Sequence, residues 1–146
     1  MLTYPYRFTP DGDGAVIIRF PDFPESRTRA AKKLPSEGFV RQALEEAIMA
    51  AFSGGRRIPM PSAPRRGQRL LALPLSMGVK VLLLNEFTAS GMRQAELARR
   101  LDMTPQEITR LLNLRHATKI DGLLRAFFVF GKRLECRVLD VDQPAD

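Results

Sequence analysis

The stretch QAELARRLDMTPQEITRLL, residues 94–112, holds two short apolar periodic segments separated by a few turn-forming residues. Ala95, Leu97, Ala98 and Leu101 give the first segment an apolar face, and Ile108, Leu111 and Leu112 do the same for the second. Asp102 stands between them, and aspartate is among the non-glycine residues that best tolerate a left-handed backbone. Thr104, Pro105 and Glu107 make a strong helix start: a capping hydroxyl, a proline at the first helical position, and an acid placed to close a capping box. The spacing predicts helices over Gln94–Leu101 and from Pro105 to about Leu114, joined by a tight turn.

Any helical hairpin turns polar residues outward, so the type of polar residue decides what the second helix is for. Gln106, Thr109, Arg110 and Asn113 fall opposite Ile108 and Leu112. Glutamine and asparagine can bond adenine in a bidentate fashion, and arginine can do so to guanine. Residues near the N-terminus of such a helix reach base edges. Gln106 and Arg110, one turn apart, are therefore the candidate base contacts. Thr109 suits a thymine methyl or a phosphate, and Thr104 and Asn113 complete the DNA-facing set. Gln94 opens the first helix, where its side chain and backbone N–H can meet a phosphate. Arg93, Arg99, Arg100 and Arg115 are candidate backbone contacts.

The rest of the chain agrees in charge. Its 146 residues carry a net charge of +7 with a sequence pI near 10.3, which points to a polyanionic partner. Residues 1–64 hold nine Lys and Arg against seven Asp and Glu, whereas residues 65–137 hold fourteen against six. The excess sits on the helical half. Cys136 is the only cysteine, which excludes an internal disulfide and fits a reducing cytoplasm. No apolar run reaches the roughly 18 residues of a membrane span, and no signal peptide is visible. The expected location is the cytoplasm, away from membranes.

The chain breaks at RRIPMPSAPRRGQR, residues 56–69, where three prolines disfavour helix and central strand. This is either a linker or a long loop before a last strand, and its arginines are read as solvated charges rather than phosphate contacts. Upstream, TYPYRFTP alternates like a half-buried strand, DGDG suits a tight hairpin, and AVIIRFPDF reads as a second strand. SRTRAAKKL is a weaker third. SEGFVRQALEEAIMAAFSGG predicts a helix capped by Ser36 and stopped by Gly54 and Gly55, with Phe39, Val40, Ala43, Leu44, Ala47, Ile48 and Ala51 on its apolar stripe. LLALPL suits a buried strand. Downstream, MGVKVLLLNEFTASG predicts a helix, Lys119–Phe130 another, and the alternation of RLECRVLDV a terminal strand; DQPAD should fray. The fold class is α+β: a small sheet with one helix over residues 1–75, then an all-α unit over residues 76–146 that ends in a short strand.

The order of these segments resembles the HicB antitoxins of bacterial toxin–antitoxin pairs, in the subgroup with a helix-turn-helix of the phage-repressor and Cro type. The resemblance runs through YPYRFTPDGDGAVIIRFPDFPE, QALEEA, IPMPS, LPLSMGVKVLLLNEF, the stretch quoted first, and RHATKIDGLLRAFFVFGKRLECRV. It implies a degenerate RNase H-like first half without nuclease activity, which binds and blocks a small basic mRNA-cleaving toxin of the HicA type. It implies a second half that dimerises and represses its own operon at a palindromic operator; the sequence leaves the order above a dimer open, a tetramer being the outcome if both halves dimerise. The basic segment ESRTRAAKKLPSEGF departs from the family's acidic, Thr-rich approach to the helix. Arg93 stands where a small capping residue is common.

The residues alone leave a second function open: a plain transcription repressor whose first half senses a small molecule. An active nuclease is set aside, because metal-dependent chemistry needs several carboxylates converging on metals, whereas the hairpin accounts for Asp11 and Asp13 and a turn for Asp22. No catalytic residue, cofactor or metal site is expected. His116 is assigned a hydrogen bond near the start of the last helix, and Cys136 a small core position. Phe127, Phe128 and Phe130 are assigned to a core or dimer seam rather than to base stacking.

Overall fold

A computed structural model describes residues 1–141. Strands β1 (Thr3–Pro10), β2 (Val16–Phe20), β3 (Phe23–Ala30) and β4 (Arg69–Ala72) form a four-stranded antiparallel sheet in the order β3-β2-β1-β4. The β1–β2 hairpin closes through Gly12, Asp13 and Gly14, all at positive φ, which explains the DGDG. Asp13 at φ 45° is the residue that bears strain there. The third strand starts three residues earlier than its sequence pattern suggests. Pro21 and Asp22 form a turn, so Phe23 pairs with Phe20 across it.

Helix α1 (Glu37–Ser53) covers one sheet face. Ser36 accepts from the Phe39 N–H at 3.2 Å, as a cap should. Val40, Ala43, Leu44, Ala47, Ile48 and Ala51 are buried against Tyr4, Tyr6, Ile18, Phe20 and Phe23. Phe39, expected on that stripe, lies at its exposed edge instead. The proline-rich stretch is a loop from α1 to β4, not a linker between domains. It is tied down at Ile58: Asn85 accepts from the Ile58 N–H at 2.8 Å and donates to the Ile58 carbonyl at 3.0 Å. The Tyr4 hydroxyl donates to the Pro59 carbonyl at 2.8 Å.

Helices α2 (Leu75–Ser90), α3 (Gln94–Leu101), α4 (Pro105–Leu111) and α5 (Ile120–Val129) follow. Helix α2 packs on α1 and on α5, so it is apolar nearly all round and the core runs from the sheet through to the last helix. None of the described helices is long and apolar enough to cross a membrane.

The expected terminal strand is absent. Arg133–Asp140 is irregular, with Val138 98% exposed and Cys136 exposed rather than in the core. The alternation is present, but a strand requires a neighbouring ladder for its backbone groups, and none of the described strands pairs with this segment. The expected fraying of DQPAD lies outside the described residues.

Candidate nucleic-acid interface

Helices α3 and α4 pack on each other and bury Leu97, Ala98, Leu101, Ile108 and Leu111. The turn between them has the predicted chemistry. Asp102 adopts the left-handed conformation at φ 52°, and its N–H and that of Met103 close the end of α3. Thr104 Oγ1 accepts from the Glu107 N–H at 3.2 Å while Glu107 Oε2 accepts from the Thr104 N–H at 2.6 Å. The capping box is complete. The bond from the Thr104 N–H, then the Thr104 hydroxyl and the nearby Arg110 charge, hold the Glu107 carboxyl below its ordinary range. Helix α4 stops at Leu111, three residues short of the expected end: the Leu112 N–H still bonds the Ile108 carbonyl, but the Asn113 N–H turns to the Arg110 carbonyl in a 3₁₀-type bond.

All ten residues assigned to DNA from sequence are solvent-exposed, but they are not equally free. Gln106 and Arg110 lie one turn apart on α4, and neither side chain has a hydrogen-bonding or ion-pair partner among the described residues. Gln94 and Arg93 are similarly unengaged, and Arg93 supplies no side-chain cap to α3, in keeping with its poor suitability there. Thr109 donates its hydroxyl to the Pro105 carbonyl at 3.0 Å, which leaves its methyl outward. Asn113 Oδ1 accepts from the Arg115 N–H at 3.0 Å. Arg100 is paired with Glu96 at 2.8 Å, one turn back.

Arg115 is not placed as a free phosphate contact. Its Nε donates to Glu45 Oε2 at 2.8 Å and its Nη2 lies 3.7 Å from Glu46 Oε1, both on α1. The charge was readable from sequence; the partner, on another helix, was not.

Two residues outside the sequence-derived set hold this hairpin. Lys80 on α2 is 2% exposed, and its Nζ donates to the carbonyls of Arg110 at 3.0 Å, Asn113 at 2.8 Å, and His116. Three donors meet three acceptors at the C-terminal end of α4, where the helix dipole favours a cation. Burial pushes the ammonium down to about 8. Arg125 on α5 donates to the Leu101 carbonyl at 3.0 Å and closes α3 in the same way. The signal for Lys80 was a lone charge inside the apolar run VKVLLL. His116 takes part through its backbone; its ring is exposed.

In the first half, Asp11 is paired with Arg29 at 2.6 Å and Asp22 accepts from the Ser62 N–H at 3.1 Å. No group of three or more His, Cys, Asp or Glu suited to hold a metal occurs among the described residues.

Comparison with known proteins gives a consistent family. Residues 3–82 match the model of the HicB-like antitoxin of bacterial toxin–antitoxin systems. Antitoxin HicB of Escherichia coli (strain K12) is 40% identical over 133 residues, 91% of this chain and 96% of the relative. Antitoxin HicB 2 of Photorhabdus laumondii subsp. laumondii is 38% identical over 134 residues, 92% of this chain and 94% of the relative. Antitoxin HicB 1 of the same organism is 35% identical over 133 residues, 91% and 84% respectively.

Proposed function

The chain belongs to the HicB-like antitoxin family, and from that membership we propose that it neutralises a small basic mRNA-cleaving toxin of the HicA type and represses its own operon by binding operator DNA. Toxin binding is assigned to the first half of the chain, within the matched residues 3–82. Operator binding is assigned to α3 and α4 as a helix-turn-helix.

The observation that carries the operator reading is the state of α4. Gln106 and Arg110 are exposed and unengaged on a short helix whose start is boxed by Thr104 and Glu107 and whose end is held by Lys80. Free polar side chains on a fixed backbone are what base readout requires. Gln94 and Arg93 add phosphate contacts at the start of α3, and Arg99 extends them.

Dimerisation is assigned to α5. Ile120, Leu124 and Phe128 recur at four-residue spacing along its outer face, and Phe128 is 69% exposed. An apolar stripe of this kind is suited to a second copy of itself, which presents two α4 helices to half-sites about 34 Å apart on a palindromic operator.

Co-expression with the neighbouring gene, using a tag on one chain only, tests the antitoxin reading. A stoichiometric small basic protein that cleaves RNA once released is expected. Purification of the chain alone, with the neighbouring product soluble and inert, would overturn it.

A further inference from the structure

A second cationic site lies on the sheet face away from α1. In the β1–β2 register Arg7 sits directly opposite Arg19. Like charges opposite each other destabilise a sheet. The loop carrying Arg65 and Arg66 folds over the same face and encloses a cleft of about 690 Å³ lined by these four arginines with Thr9 and Ser26. Nearby acids are already committed: Asp11 to Arg29, Glu25 to Arg56, and Asp22 to the Ser62 N–H. None of the four cleft arginines has a side-chain ion-pair partner among the described residues.

We propose that this cleft binds the phosphate backbone of a single-stranded nucleic acid. Four guanidinium groups and two hydroxyls make a site rich in donors, and the guanidinium fork matches phosphate geometry. The cleft is larger than a lone phosphate needs. Its concave form, between a sheet and an overhanging loop, admits one strand, where a rigid duplex meets convex surfaces. Pro21 and Pro24 supply an apolar edge beside the charges for sugar and base. The occupied state removes the Arg7–Arg19 repulsion, so strand binding recovers stability that the free protein lacks. A basic toxin is repelled from this face, which leaves it open when such a partner is bound elsewhere. The inference is independent of the operator reading, since neither α3 nor α4 lines the cleft.

Anisotropy of a short labelled oligouridylate, titrated with the full chain, tests it. Two double variants are compared, R7Q/R19Q in the sheet and R65Q/R66Q in the exposed loop. Each is expected to weaken strand binding roughly tenfold or more, and to reduce the slope of log affinity against log salt by about 1.4 for two lost phosphate contacts. R110A is expected to leave strand binding unchanged. The R7Q/R19Q chain is expected to melt no lower than the native one, because a like-charge pair has been removed. Strand binding retained by both double variants, or abolished by R110A alone, overturns the proposal. So does preferential displacement of the strand by an acidic peptide, which would assign the cleft to a protein partner.

Discussion

Lys80 Nζ donates to the Asn113 carbonyl at 2.8 Å, so a buried cation on α2 holds the end of the helix that carries Gln106 and Arg110. The same ammonium also serves the Arg110 and His116 carbonyls. Lys80→Met fills similar volume but leaves three carbonyls without their donor. It is expected to lower unfolding free energy by about 1–3 kcal/mol. Operator affinity should fall with it, because α4 loses its anchor. Urea unfolding and a gel shift on the same preparation check both, and an unaltered pair of values would remove Lys80 from the support of α4.

The same residue predicts a pH dependence of definite sign. Burial holds the folded ammonium near 8, below the 10.5 of an ordinary lysine. Below pH 8 both folded and unfolded chains carry the charge, and the full cost of burying it is present. Between about pH 8 and 10.5 the unfolded chain binds a proton that the folded chain has released, so this group's contribution to stability rises with pH. The stability of the native chain relative to Lys80→Met should therefore increase from about pH 8 to about 9.5, short of tyrosine ionisation in the unfolded state. Denaturant titrations across that window measure it. A flat difference would mean that the three carbonyls keep the ammonium charged throughout.

Arg110 and Arg115 looked equivalent as charges and differ in structure. Arg110→Ala should weaken operator binding by roughly 1–3 kcal/mol and relax preference at one base pair. Arg115→Ala should leave base preference unchanged. Its cost falls on folding instead, about 1 kcal/mol, because the bridge to Glu45 is half-exposed on the arginine side and screened by solvent. Binding-site selection with both variants separates the two roles; equal shifts in base preference would reverse the assignment of Arg115.

These contrasts show what local sequence patterns carry. The DGDG hairpin, the Ser36 cap, the left-handed Asp102 and the Thr104–Glu107 box are decided within a few residues, and each formed as read. The Arg115–Glu45 bridge joins residues 70 positions apart, so no local pattern reveals it. The terminal alternation at Leu134, Cys136 and Val138 misled for a related reason: period two describes which way side chains point, whereas a strand exists only if a partner strand is adjacent. The turn read at Asp22 is present, but AVIIRFPDF also reads as one strand, so Phe23 belongs to β3 rather than to the second strand as its pattern suggests.

Thr104→Ala removes one half of the capping box from a helix of only seven residues. A loss of about 1 kcal/mol in unfolding free energy is expected. The other half depends on the Glu107 carboxylate, whose pKa is lowered by its bond to the Thr104 N–H. A depressed carboxyl contributes stability above its unfolded pKa and loses that contribution as pH falls through the folded one. Acid should therefore weaken the native box, and Glu107→Gln should flatten this part of the acid profile. An identical profile in the native and Glu107→Gln chains would show that the box contributes nothing measurable.

Phe128 presents the largest exposed side chain of the α5 stripe, beside Ile120 and Leu124. Pairing two such stripes removes them from water at about 25 cal/mol for each Å² of apolar surface buried, whereas a carboxylate at the centre of that seam is desolvated without a partner. In one chain the position is open to solvent, so Phe128→Glu should fold as well as the native protein. It should shift sedimentation from dimer to monomer at micromolar concentration. Operator affinity should fall in parallel, because each monomer then binds one half-site without the second held nearby. A Phe128→Glu chain that remains dimeric and fully competent for operator binding would move the dimer seam away from α5.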